Sequence, residues 1–324
     1  MTQKIILAVE GLKTYFFTRA GVVKAVDGVS FSVKEGESLG IAGESGCGKS
    51  ITCLSIVRLV PQPAGRIISG KILFEGQDLL VKKEKEMRQW RGKRISMILQ
   101  DPLTSLNPCY TIENQVSEPY KIEGLNNGSN NIRKKVINVL KRVRIPSPER
   151  RMRDYPFQFS GGMRQRVLAA IAIARDPRLL IADEPTTSLD VTIQDQFLRL
   201  LKDMQQQTNM GLVMITHDLG IVAETCDRVA IMYAGKIVER GTVENVFLNP
   251  AHPYTEALME ALPKMGSKRK RLFQIEGEPP NLLRLPGGCS FWPRCHKAMD
   301  ICQTQSPPVI SLKNGGEASC WLLC

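Results

Sequence analysis

The segment Gly43-Glu44-Ser45-Gly46-Cys47-Gly48-Lys49-Ser50 limits this chain more than any other feature. Three glycines, a lysine and a terminal hydroxyl within eight residues fit the pattern G-x-x-x-x-G-K-[ST]. Glycines let successive backbone N–H groups turn inward around phosphate oxygens, and a helix that follows presents its positive N-terminal end to the same oxygens. Lys49 is expected to reach the β- and γ-phosphates, and the Ser50 hydroxyl to ligate Mg²⁺. Both flanks agree: Ser38–Ala42 reads as a strand, and 50–60 reads as a helix stopped by Pro61. A chance glycine-rich turn would rarely have both. Cys47 reads as a small buried filler ahead of a redox switch, because thiol reactivity depends on pKa and exposure.

The rest of the chain sets this loop in an α/β frame. Short apolar bursts at 5–9, 13–17 and 29–33 predict antiparallel strands at the start of a sheet. Further apolar runs fall at Ser38–Ala42, 95–99, 179–182 and 212–216, mostly separated by helical patterns, which predicts a largely parallel sheet covered by helices. Residues 103–160 are polar and proline-punctuated, and predict an inserted helical subdomain reaching to about residue 165. Beyond Pro250 come a short helix near 254–262 and a proline-rich, loop-like tail. The expected organisation is a domain over 1–250 and an extension over 251–324. A chain of 324 residues has room for both.

The net charge of +12 allows an anionic membrane surface, a nucleic acid or a solvated basic face. The basic residues cluster at 82–94, 133–153 and 264–271, without the interleaved aromatics of a single-strand binder. The longest apolar run, 167–174, is far shorter than the roughly 18–20 residues that cross a bilayer. The N-terminal apolar core is too brief for a signal peptide. A cytosolic protein is expected, and its nine cysteines then read as thiols or metal ligands before disulfides.

Three other strand ends carry polar chemistry. The run at 179–182 ends in Asp183 and Glu184, which alternating strand faces would point differently. Asp183 would hold Mg²⁺ and Glu184 would polarise a water as general base, although strands often end in acids for no catalytic reason. The run at 212–216 delivers His217, placed to contact a γ-phosphate if its strand lies in the same sheet; a lone histidine there is more often structural. Gln100, after 95–99, offers an amide to Mg²⁺ or water, or is simply a polar terminus. A second anion site opens at Phe159-Ser160-Gly161-Gly162-Met163-Arg164-Gln165-Arg166, where Ser160 suits an N-cap and two glycines expose N–H groups.

With these residues assembled, the chain resembles the ATP-binding subunits of ABC transporters over residues 1 to about 250. The resemblance assigns the Walker A loop to the segment ending at Ser50, the Q-loop to Gln100 and the signature to Ser160, Gly161, Gly162, Met163, Arg164 and Gln165. It assigns Walker B and the base to Asp183 and Glu184, the D-loop to Ser188-Leu189-Asp190 and the switch to His217. It implies a P-loop NTPase fold with a mixed sheet, ATP with Mg²⁺ as ligand, and two cassettes facing head to tail. Each nucleotide would be shared between one chain's loop and the other's signature. Phe159 and Met163 depart from the commonest signature; Met163 is usual in the peptide-importer branch. Phe16 best matches the adenine-stacking aromatic, with Tyr15 and Phe17 as alternatives.

Finer motifs are similar to dipeptide/oligopeptide importer ATPases: Gln100-Asp101-Pro102-Leu103-Thr104-Ser105-Leu106-Asn107-Pro108, the run from Asp183 to Gln194, and His252-Pro253-Tyr254-Thr255. That branch implies a heterodimer of two related ATPases beneath two permeases, fed by an extracytoplasmic binding protein, at the cytoplasmic face of the inner membrane. Nickel and antimicrobial-peptide importers are relatives. A soluble ABC ATPase acting on nucleic acid is the rival reading, disfavoured by the single cassette without a coiled-coil insertion. In the tail, Cys289, Cys295, Cys302 and Cys320 have the spacing C-x₅-C-x₆-C-x₁₇-C, which leaves ordinary thiols and metal ligation open. The resemblance adds a [4Fe–4S] cluster, for which four thiolates are the right number. His296 keeps zinc as an alternative, and Cys324 is spare.

Overall fold

A computed structural model describes residues 4–122, 129–262 and 274–324; the basic stretch at 264–271 lies outside the described residues. The chain begins β1 (Ile5–Thr18), β2 (Gly21–Lys34), β3 (Ser38–Ala42), α1 (Lys49–Ile56), β4 (Gly65–Phe74) and β5 (Gln77–Asp78). Then come α2 (Glu84–Trp90), β6 (Ile95–Ile98), α3 (Pro102–Ser105), α4 (Ile112–Ile122), α5 (Ser129–Arg142), α6 (Pro148–Arg151) and α7 (Gly161–Ile173). The middle continues β7 (Leu179–Asp183), α8 (Val191–Thr208), β8 (Gly211–Thr216), α9 (Leu219–Thr225), β9 (Arg228–Tyr233) and β10 (Lys236–Thr242). Last are α10 (Val243–Leu248), α11 (Pro253–Ala261), α12 (Asp300–Thr304), β11 (Ile310–Ser311) and β12 (Glu317–Ala318). These form two compact units, one built mainly from Val81–Met214, the other from Leu7–Val33, Ser38–Leu80 and Ile215–Cys324.

In the second unit, β1 pairs antiparallel with β4, from Leu7 opposite Phe74 to Phe16 opposite Gly65. The two bursts expected at 5–9 and 13–17 are one strand of 14 residues. A register shift between Glu10 and Lys13 absorbs the polar interruption that makes them look separate. Parallel and antiparallel pairing mix in this unit: β3 runs parallel to β9, while β10 is antiparallel to β9. All of β3 is buried. At Gly40 an added Cβ would stand 2.8 Å from Val222 Cγ1, so glycine is what lets α9 close on this strand.

The helix after the phosphate loop is shorter than expected, ending at Ile56 and not near residue 60. Arg58 adopts the left-handed conformation (φ 54°), and the N–H groups of Arg58 and Leu59 return to the carbonyls of Ser55 (3.1 Å) and Leu54 (2.8 Å). That is a Schellman closure, which ends the helix before Pro61 is reached. The tail is also more than loop: β11 and β12 form a small antiparallel pair, and β12 pairs with β10. Two-residue strands carry no periodicity to read.

In the first unit, β6 and β7 are parallel, from Ile95 opposite Leu179 to Ile98 opposite Ala182. The expected helical insertion is α3 to α6. Ile112, Val116 and Tyr120 of α4 and Val136, Val139 and Leu140 of α5 are buried at three- and four-residue spacing. The apolar run of α7 (Val167, Ala169, Ala170, Ile173) is core, as are Phe197 and Leu201 of α8. Each such large side chain contributes roughly 1.5–3 kcal/mol by leaving water.

Candidate active site

The phosphate loop links β3 to α1 within the second unit. Its glycines are required by position. Gly43 (φ 153°) and Gly48 (φ 108°) hold backbone no L side chain favours, and a Cβ on either would overlap a carbonyl, Met232 O or Ala25 O. Lys49 is buried, and its ammonium donates to the Gly43 (2.8 Å) and Glu44 (3.0 Å) carbonyls, so it folds back across its own loop. Ser50 follows it in the first turn of α1. Cys47 is buried beneath the loop; burial pushes its thiol up, against the pull of Lys49. Ser45 and Gly46 are exposed at the crest. In the same unit, Phe16 lies on β1 opposite Gly65 and is half-buried, while Tyr15 Oη donates to Asp27 (2.7 Å) and Phe17 lies beneath the Arg66 guanidinium (5.4 Å). His217, exposed just past β8, precedes Asp218, whose carboxylate caps α9 by accepting from Gly220 and Ile221.

The first unit holds the two acids. Asp183 is buried as the last residue of β7. Glu184 has left the strand, with a left-handed backbone (φ 42°). The different settings of the two carboxylates therefore come from a break in the strand and not from alternation along it. One Glu184 oxygen, Oε2, accepts from the Gln100 amide (3.1 Å) and the Thr187 hydroxyl (3.1 Å). Gln100 thus addresses the carboxylate directly, a contact that the sequence did not suggest.

In α7, the Ser160 hydroxyl accepts from Met163 N–H (3.3 Å), as an N-cap should. Ser160 is exposed and Gly161, Gly162 and Met163 are half-buried. Gln165 is not with them: it is 1% exposed, and neither amide atom has a hydrogen-bond partner among the described residues. Asp190 is exposed and caps α8 through Ile193 N–H (3.0 Å).

All nine cysteines are thiols. In the tail, Cys289 N–H donates to Cys302 O (2.8 Å). Burial raises the Cys289, Cys295 and Cys320 thiols, Cys320 to about 11, and their proximity to one another and to Cys302 adds to the rise. Among the described residues, no group of three or more His, Cys, Asp or Glu side chains is arranged to hold a metal ion. The same tail supplies residues that the sequence reading left without chemistry. Arg294 forms a bidentate pair with Glu44 of the phosphate loop, and Tyr254 Oη accepts from Glu44 N–H (3.0 Å). Phe291 packs against Tyr233 and Tyr254 at 5.2 Å. The motifs around these residues were visible, but nothing in a sequence joins positions so far apart. Among the described residues, no helix is long and apolar enough to cross a membrane.

Comparison with known proteins gives this arrangement a family. The ABC transporter family matches residues 26–187, and the C-terminal region of oligopeptide/dipeptide transporters matches 238–302. The dipeptide transport ATP-binding protein DppD of Escherichia coli is 47% identical over 315 residues, covering 97% of this chain and 96% of its own. The oligopeptide transport ATP-binding protein AppD of Bacillus subtilis is 47% identical over 317 residues, covering 98% and 96%. Among solved structures, cbiO1 of Clostridium perfringens, part of the ABC transporter complex cbiONQ, shares 28% identity with a TM-score of 0.65. It covers 76% of this chain and 92% of its own. A dimeric ATP-binding cassette in a post-hydrolysis state with ADP and phosphate shares the fold at TM-score 0.65 and 24% identity, over 73% of this chain and 98% of that one. This chain belongs to the ABC transporter family of ATP-binding proteins, in the branch that carries the oligopeptide/dipeptide transporter C-terminal region.

Proposed function

We propose that this chain is the ATP-binding and ATP-hydrolysing subunit that powers an importer of dipeptides or oligopeptides. The observation that carries the reading is the near end-to-end identity of 47% with peptide-transport ATP-binding proteins, tail included. The nucleotide-binding domain is assigned to 1–250, with the helical subdomain at 103–165, and the extension to 251–324.

Each residue has a role. The backbone of Gly43, Glu44, Ser45, Gly46, Cys47 and Gly48 cradles the phosphates, and Lys49 leaves its own loop carbonyls to bind the β- and γ-phosphates. Ser50, Gln100 and Asp183 would hold Mg²⁺, which supplies positive charge to the phosphate oxygens. Glu184 is the general base: donors from Gln100 and Thr187 fix its Oε2 in the position from which it takes a proton from water. His217 contacts the γ-phosphate, and Phe16 stacks on adenine. Ser160, Gly161, Gly162 and Met163, with Asp190, meet the nucleotide of a second cassette. Gln165, buried among its neighbours, serves that surface from beneath. ATP binds the closed pair better than ADP does, and that difference is the source of the stroke.

The assembly comprises a second, related ATPase forming a heterodimer, two permeases and an extracytoplasmic binding protein. The chain lies peripherally on the cytoplasmic face of the inner membrane, without nucleic acid. Cys289, Cys295, Cys302 and Cys320 would hold a [4Fe–4S] cluster, which they suit in number and softness. It would tie together a tail with few regular elements. Broad visible absorption and about four irons per chain in anaerobically purified protein are the expected result; colourless, iron-free protein under those conditions removes the cluster.

The decisive experiment is Glu184→Gln in the assembled transporter. Turnover should fall by a factor on the order of 10² to 10⁴, while ATP binding is retained and the nucleotide-loaded cassettes stay paired. Unchanged hydrolysis would remove Glu184 as the base.

A further inference from the structure

The phosphate loop carries an acid where its ligand is an anion. Glu44 is the second residue of the loop, and an uncompensated carboxylate beside a triphosphate opposes binding by like-charge repulsion. In this chain the carboxylate is compensated from the far end of the sequence. Arg294 Nη1 donates to Glu44 Oε2 (2.7 Å) and Nη2 to Oε1 (3.0 Å), a fork-to-fork pair that fixes geometry as well as charge. The guanidinium is itself held in place. Its Nε donates to Glu276 O (3.0 Å) and its Nη1 reaches Tyr233 Oη (3.3 Å). Only 5% of the Arg294 side chain is exposed, against 25% for Glu44. The Tyr233–Tyr254 pair, at 4.6 Å, places a tyrosine on the Glu44 backbone N–H. All of these residues lie in one compact unit.

We propose that Arg294 is a positioning residue for nucleotide binding: it neutralises Glu44 and holds the carboxylate turned away from the phosphates, so that nucleotide affinity is set from the cysteine-bearing tail. The inference rests on the reading of residues 43–50 as the triphosphate loop. It differs from a purely structural role for the pair, which would affect stability but would not respond to the charge on Glu44 in the way that follows.

The test is equilibrium binding of a non-hydrolysable ATP analogue with Mg²⁺ to the full-length chain. Arg294→Gln should bind about ten-fold more weakly or worse, because it leaves the Glu44 charge facing the phosphates. Adding Glu44→Gln to that variant should restore affinity to within about three-fold of the parent, since the repulsion has gone. Glu44→Gln alone should bind at least as tightly as the parent. Affinity of Arg294→Gln within about two-fold of the parent overturns the inference, as does a double variant as weak as the single one. Should Arg294→Gln fail to fold by its thermal melt, the double variant carries the decision, because a neutral pair buries no unmatched charge. Parent-like affinity there supports the inference, and a ten-fold loss overturns it. A parent chain that binds no nucleotide sinks the loop reading and this inference with it. Binding that is lost in Lys49→Ala but intact in Arg294→Gln sinks the inference alone.

Discussion

His252 is the clearest case of a single residue whose environment decides its charge. It lies buried at the start of α11, with Nδ1 accepting the Tyr254 backbone N–H at 3.0 Å and the His252 backbone N–H donating to Glu239 Oε2 at 2.9 Å. Burial pushes its imidazole from 6.5 down to about 4, so the folded chain keeps it neutral. Between those values the unfolded chain binds a proton that the folded chain refuses. Stability is therefore fully present above pH 6.5 and is lost as pH falls towards 4, by up to about 3 kcal/mol. Glu239, raised by burial, tilts the other way in the acid range, so the histidine must be isolated by substitution. His252→Asn keeps a side-chain acceptor for the cap and should flatten the acid limb of stability measured by urea unfolding from pH 4 to 7. An unchanged slope would mean that the imidazole is not the group responsible. The sequence presented His252-Pro253-Tyr254-Thr255 only as a family mark. Its chemistry depends on Glu239 and the aromatic cluster, which become neighbours only on folding.

At the scale of elements, two adjacent glycines of α7 do different work. A Cβ on Gly162 would stand 2.4 Å from Ile193 Cγ2, a stiff β-branched neighbour on α8, whereas a Cβ on Gly161 would meet nothing nearer than 3.9 Å. Gly162→Ala should cost roughly 1–3 kcal/mol in chemical denaturation, as overpacking does. Gly161→Ala should be tolerated to within about 1 kcal/mol, and helix propensity favours it. If the signature end of α7 meets a second cassette's nucleotide, Gly161→Ala should still weaken ATP-driven pairing, measured by light scattering in a hydrolysis-blocked background. Normal pairing would remove Gly161 from that contact. The start of α7 was legible because an N-cap serine announces itself, and the parallel strands because apolar runs bounded by turns do. The end of α1 was not, because Arg58 closes it in a conformation that sequence rules reserve for glycine. Nor was the setting of Glu184, whose backbone turns left-handed directly after an apolar strand that gives no warning of it.

At the scale of the whole chain, the phosphate loop was legible from eight residues, yet the pairing of Glu44 with Arg294 was not, because the two are 250 positions apart. Linkage makes that pairing measurable from either end. If closing the tail on Glu44 favours nucleotide, then nucleotide must favour the closed tail by the same factor. Cys289 and Cys295 flank the segment that carries Phe291 and Arg294, and both are half-buried, so in metal-free protein, where no cluster occupies these thiols, their alkylation reports opening of the tail. A saturating non-hydrolysable nucleotide should slow their labelling by about ten-fold, the factor by which losing Arg294 weakens binding. Labelling must be read peptide by peptide, because Cys47 lies within the loop itself and would be shielded by direct contact. In Arg294→Gln the protection of Cys289 and Cys295 should disappear while that of Cys47 persists at full occupancy. Equal protection of the tail thiols in both chains would show that loop and tail sit side by side without exchanging free energy.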